Sequence, residues 1–137
     1  MKIKLDSGAY LPTRAHETDA GLDLYSMEDK TIPDLWGVEF DTGVHVAIPE
    51  GYVGLVKSKS GLMMKRNITT DGTIDCGYTG SIRVKLFNHG ENVYRVMKGQ
   101  KIAQLVIVPI ITPELEVVDS LEETERGNGG FGSTGKF

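Results

Sequence analysis

Cysteine is all but missing: Cys76 is the only one in 137 residues. One thiol cannot form an intramolecular disulfide or a Cys-rich metal site, which favours a reducing compartment. Long apolar runs are missing too. The longest candidate, Ile102 to Ile111, is about half of the ~20 residues that a spanning helix needs, so no membrane partner is expected. The first residues, Met1 to Asp6, contain no apolar core with a cleavage site and do not read as a signal peptide. A soluble, cytoplasmic protein is expected. There is no positive excess: 15 Lys and Arg stand against 19 Asp and Glu, for a net charge of −4. Without a basic stripe, nucleic acid is not an expected partner. An acidic small molecule remains compatible, because a local cationic pocket does not require a basic protein. His16, His45 and His89 share no metal-ligand spacing. Long helical periodicity and internal repeats are absent as well.

What the chain does contain is glycine, 17 in all, between short alternating runs. Candidate strands are Ile3 to Leu5, Ala20 to Tyr25, Thr31 to Ile32, Val44 to Ile48, Tyr52 to Lys57, Val93 to Met97 and Ile102 to Val108. Turn signals every 8–12 residues between such runs predict an all-β sandwich or barrel. The length fits one domain, expected over 1–125, which can bury roughly two-thirds of its unfolded surface. Ser60 is placed to cap a short helix starting near Leu62, a setting in which free N–H groups favour an anion. Trp36 reads as a partly buried packing residue and Asp23 as a solvated residue on an edge strand. The acidic segment 114–125 reads as weakly packed or as an exposed strand. The tail from Arg126 is too Gly-rich to order itself, yet carries Arg, Phe, Ser and Thr, which suit a charged aromatic ligand.

The densest stretch is Gly72-Thr73-Ile74-Asp75-Cys76-Gly77-Tyr78-Thr79-Gly80, followed by the alternating Ser81-Ile82-Arg83-Val84-Lys85-Leu86-Phe87. It reads as strand, tight hairpin, strand, with one carboxylate and one tyrosine among glycines that let another molecule approach the backbone. An Asp in such a turn commonly serves only its own backbone.

Five stretches taken in order carry more than any one of them. They are Ala20-Gly21-Leu22-Asp23-Leu24; Lys59-Ser60-Gly61-Leu62; Gly72-Thr73-Ile74-Asp75 with Tyr78 and Gly80; Gly99 with Ile102-Ala103-Gln104-Leu105; and Arg126 to Gly135. Together they closely resemble the trimeric deoxyuridine triphosphatases (dUTP diphosphatases) over residues ~19 to 135. The resemblance implies a distorted β jelly roll with one short helix. It also implies a homotrimer with shared active sites, and a C-terminal arm, 126–137, that closes over a site. The implied reaction is Mg²⁺-dependent hydrolysis of dUTP to dUMP and pyrophosphate. By the same resemblance Asp75 is the catalytic residue that activates the attacking water. Tyr78 packs on deoxyribose, and the backbone of Gly72, Thr73, Ile74 and the strand at Arg83 reads uracil. Thr69 stands where many relatives have a base-contacting Asn. Lys59, Ser60, Gly61 and Gln104 match phosphate contacts, with Lys59 where the family usually has Arg. Asp23 reaches the metal through water. Phe131 stacks on uracil, while Arg126, Gly132, Ser133 and Thr134 belong to the closing arm. Alternatives are a nucleotide-binding sensor without turnover and a dCTP deaminase relative. The latter uses a Glu on the strand after the hairpin, which Arg83 to Phe87 lacks.

Overall fold

The computed structural model describes residues 1–130 and Ser133. Phe131, Gly132 and Thr134, all expected in the site, lie outside the described residues. Among the described residues the chain forms eleven strands and one short helix, in an all-β jelly-roll arrangement. The largest sheet has the order β2 (Gly21–Tyr25), β11 (Lys101–Pro109), β6 (Tyr52–Ser58), β8 (Asp71–Ile74). A three-stranded sheet orders β4 (Gly37–Asp41), β9 (Arg83–Asn88), β7 (Ile68–Thr69). Two ribbons complete the body, β1 (Lys2–Leu5) with β5 (Val44–Ala47), and β3 (Lys30–Ile32) with β10 (Tyr94–Val96). Every pairing is antiparallel.

Alternation explains the layering. In β9, Val84, Leu86 and Asn88 turn inward while Arg83, Lys85 and Phe87 face out. The core gathers Leu24, Phe40, Ile82, Leu86, Ile102 and Leu105 among others, all fully or nearly fully buried. Each such side chain contributes about 1.5–3 kcal/mol of transfer free energy. β4 and β7 are absent from the sequence reading. β4 carries a single fully buried residue, Phe40, with Val38 only half-buried, and β7 is only two residues long.

Three further expectations change, and a fourth is narrowed. The stretch 72–87 is not a hairpin: β8 pairs with β6, β9 pairs with β4 and β7, and residues 75–82 carry the chain from one sheet to the other. Alternation reveals two strands but not whether they pair with each other. The helix α1 spans Ser60–Arg66, so Lys59 rather than Ser60 is its N-cap, without a side-chain cap bond. Asn67 closes it in the left-handed region at φ 53°, a conformation Asn tolerates better than branched residues. Trp36 is 67% exposed rather than a packing residue. Of the two readings of 114–125, the strand falls away and the weak packing remains: the segment forms no strand and lies on the surface, with Leu115 and Val117 almost wholly exposed.

Candidate active site

The largest sheet places three of the expected residues in one cleft of about 310 Å³, lined by Asp19, Gly21, Asp23, Lys59 and Gln104 among others. Register does this. Asp23 on β2 stands opposite Gln104 on β11, and Gln104 stands opposite Lys57 on β6, so all three share one face of the sheet. Lys59 follows two residues later, where β6 gives way to α1.

Asp23 is buried rather than solvated, at 4% exposure. Lys59 Nζ lies 2.5 Å from its Oδ1 and Lys101 Nζ 2.7 Å from its Oδ2. Burial pushes the carboxyl up, but hydrogen bonds and charge from the two lysines outweigh it, and the group is held below the usual carboxylate range. Two ammonium groups thus stand around one buried carboxylate, with the Asp19 carboxylate also lining the cleft. Gln104 Nε2 donates to the Ser58 carbonyl at 3.0 Å, which leaves the amide oxygen toward Gly21. A Cβ at Gly21 would collide with that oxygen, so the glycine is what lets the amide lie flat across β2. Ser60 and Gly61 are exposed at the start of α1.

The second group lies on the crossing loop 75–82. Asp75 is exposed directly after β8, and the Tyr78 N–H donates to its carbonyl at 3.2 Å. Gly77 takes φ 88°, which turns the chain back. The Tyr78 hydroxyl donates to the Ser81 carbonyl at 3.0 Å, laying the ring over Gly80, where a Cβ would collide with the phenol. The far end of the loop is fixed: Ile82 N–H donates to Val44 O at 2.8 Å, and Thr42 Oγ1 donates to Ile82 O at 2.7 Å. Gly72, Thr73 and Ile74 face Val56, Leu55 and Gly54 across the β6–β8 ladder. The outer edge of β8 pairs with no strand among the described residues, which leaves backbone groups there for a ligand. Arg83 Nη1 is taken by Glu39 at 2.7 Å, its Nη2 lies 3.9 Å from Asp41, and Thr69 Oγ1 meets His89 Nε2 at 2.7 Å.

The two groups are not brought together within one chain. β2 and β8 are opposite edges of a four-stranded sheet, roughly 14 Å apart at three strand spacings. Asp75 lies a further four residues along from Asp71, which is in line with Asp23. In the tail, Arg126 Nε donates to Gly129 O at 3.1 Å and Ser133 N–H donates to Gly130 O at 3.1 Å, so these turns close on themselves. A larger cleft of about 480 Å³ beside Trp36, Phe87 and His89 carries no carboxylate.

Comparison with known proteins fits this geometry. The family model described as dUTPase matches residues 8–135. The chain belongs to the dUTPase family. It is 48% identical over 140 residues to the deoxyuridine 5'-triphosphate nucleotidohydrolase of Clostridium tetani, covering 99% of this chain and 97% of that one. It is 46% identical over 134 residues to the mitochondrial human protein of the same name, covering 97% of this chain and 53% of that one. Among solved structures it is similar to a mutant dUTPase of Staphylococcus bacteriophage 80alpha with dUpNHpp, at a TM-score of 0.92 and 38% identity, covering 98% and 97% of the two chains. A mutant dUTPase of phage phi11 of S. aureus, described with a structural Mg(II) ion, gives a TM-score of 0.83 at 34% identity over 89% and 98% of the chains.

Within this dUTPase-family chain, sequence reasoning gave Lys101 no place in the site. Lys101 is the second cation on Asp23. It lies three residues from Gln104 on the same strand, but a β-bulge between Lys101 and Ala103 resets the alternation and brings its ammonium to Asp23. No periodic pattern signals such a bulge.

Proposed function

We propose that this chain hydrolyses dUTP to dUMP and pyrophosphate, with Asp75 activating the water that attacks the α-phosphorus. The observation that carries the reading is the division of labour between the two groups. The ammonium groups of Lys59 and Lys101, gathered on Asp23, suit a triphosphate, and an exposed carboxylate beside Tyr78 on a glycine-rich loop suits a nucleoside and a water. Lys59, Ser60, Gly61 and Gln104 bind and orient the phosphates. The ammonium of Lys59 acts as a point charge where Arg would grip in bidentate fashion. Tyr78 lies under the sugar and leaves no room for a 2′-hydroxyl. Backbone groups of Gly72 to Ile74 and the strand at Arg83 read uracil, with Thr69 beside them. Asp75 takes a proton from water.

Mg²⁺ takes hard oxygen ligands, keeps several waters and commonly rides on substrate phosphates. The donor set fits: the Asp23 carboxylate and the Gln104 amide oxygen line the cleft, and no cage of three or more His, Cys, Asp or Glu side chains is present among the described residues. When bound, the ion neutralises phosphate charge and holds the chain of phosphates in one geometry. Asp23 would reach it through water.

The separation of the two groups supports a homotrimer in which one copy supplies the Asp75 loop and another the phosphate cleft. The exposed Ile111, Leu115, Val117 and Leu121 support it too. Burying four such side chains is worth roughly 6–12 kcal/mol, a driving force a lone subunit leaves unused. The arm 126–137, including Arg126, Phe131, Gly132, Ser133 and Thr134, closes the site and excludes water. No helix among the described residues is long and apolar enough to cross a membrane. A reducing, cytoplasmic setting goes with the lone exposed Cys76.

The test is pyrophosphate release from dUTP, UTP, dTTP and dCTP, with and without Mg²⁺. Metal-dependent release from dUTP alone is expected. Binding without release would favour a sensor, and ammonia from dCTP would favour a deaminase.

A further inference from the structure

His45 is a β5 residue whose side chain is 18% exposed. Its Nε2 lies 3.0 Å from Asp6 Oδ2 and its Nδ1 lies 2.8 Å from the carbonyl oxygen of Thr79. Thr79 is the residue after Tyr78, on the loop that carries Asp75. A carbonyl only accepts, so Nδ1 must carry a proton. Asp6 accepts as a carboxylate, so Nε2 must carry one too. Both contacts are satisfied together only by the imidazolium. A neutral ring has one N–H, and it turns a lone pair toward one of two acceptors.

We propose that the His45 imidazolium, anchored by Asp6, is a positioning residue that holds Thr79 and so sets the nucleoside-binding shape of the Asp75–Tyr78 loop. The inference rests on the dUTPase reading and deepens it.

The surroundings are consistent with a charged ring. Asp6 is itself fixed, its N–H donating to Gly43 O at 2.9 Å and its carbonyl accepting from Ala9 N–H at 3.0 Å. The charged groups on the neighbouring elements are few. From β1, Lys4 stands opposite His45 in register, with its Nζ 3.6 Å from Asp6 Oδ1, and Lys2 shares the same shallow groove. From the end of β4, Asp41 accepts from the Ser81 hydroxyl and from the Gly43 N–H, and Arg83 of β9 lies 3.9 Å from it. Tyr78 is the titratable neighbour on the loop itself. The Asp6 hydrogen bond, followed by that of Thr79, favours the imidazolium over the opposing effects of burial and Lys4, and the His45 pKa is raised. Asp6 is correspondingly lowered, mainly by His45.

The sign follows. A raised His pKa means the clamp is complete below the ordinary value of 6.5 and is lost as pH rises through the raised folded value. If the clamped loop binds nucleotide better, binding must raise the His45 pKa again, and affinity must fall with pH above the free-enzyme value.

The experiment titrates dUMP binding to the full chain by calorimetry from pH 6 to 9, for wild type, His45→Gln and Asp6→Asn. It also follows the His45 ring by NMR with and without dUMP. The ligand's own titrations are common to all three proteins and cancel in the ratios. Wild-type affinity relative to His45→Gln is expected to fall on the order of fivefold across this range, with the His45 pKa higher in the complex than in the free protein. In Asp6→Asn the fall is expected at lower pH, because the anchoring charge is gone. A thermal melt of each variant separates folding from positioning, since a purely structural role lowers affinity equally at every pH. A pH-independent ratio, an unmoved His45 pKa on binding, or an Asp6→Asn limb in its wild-type place would each overturn the inference alone. Failure of the wild type to bind dUMP at any pH would overturn the functional reading with it.

Discussion

At the scale of the residue, one acid serves two opposite purposes in this chain. Asp23 is buried and held by two lysines, so its charge keeps Lys59 and Lys101 in place. Asp75 is exposed at a loop and forms no ion pair among the described residues, so its carboxylate is available to a water. General-base groups commonly contribute ~10²–10⁴ in rate. Asp75→Asn is therefore expected to lower pyrophosphate release from dUTP by about that factor while dUMP affinity stays within a factor of two or so. Normal turnover by the variant would remove Asp75 from the role.

At the scale of the element, the loop 75–82 is pinned at both of its ends, which under the proposed function suits it to set specificity. β8 is paired to β6 on one side, and Ile82 is buried and bonded to Thr42 and Val44 on the other. The Tyr78 ring is held between these anchors by the Ser81 carbonyl and rests against Gly80. Gly80→Ala puts a methyl group into the phenol, and the ring must move. The expected result is a higher KM for dUTP and a smaller preference for dUTP over UTP, with a melting temperature close to that of the wild type. An unchanged dUTP/UTP ratio of kcat/KM would show that the Tyr78 position does not set sugar choice.

At the scale of the whole molecule, the core is complete before the tail begins. The buried cluster runs from Leu24 to Leu105, and among the described residues none after β11 belongs to it. Removing 126–137 is therefore expected to leave the melting temperature and oligomeric state unchanged while turnover falls at least tenfold. Calorimetry, sedimentation and the pyrophosphate assay on the truncated chain check the three parts. Unfolding on truncation would make the tail a structural element instead.

The sequence by itself determined the class and the ingredients. Alternation at Val84 and Leu86 or Leu22 and Leu24 marks half-buried strands because side chains in a strand point to opposite faces in turn, a purely local rule. The order of Asp23, Lys59 to Gly61, Asp75 with Tyr78, and Gln104 was equally visible, and it carried the family. Pairing was not, because register depends on which strands meet, not on what each one contains. Only the tertiary structure put β8 against β6 and β9 against β4, buried Asp23 between two lysines, and let a bulge deliver Lys101 to it. The same holds for His45. In the sequence it is one polar residue on a strand, and it gains a task only where Asp6 and Thr79, 39 and 34 residues away, fold back to its two nitrogens.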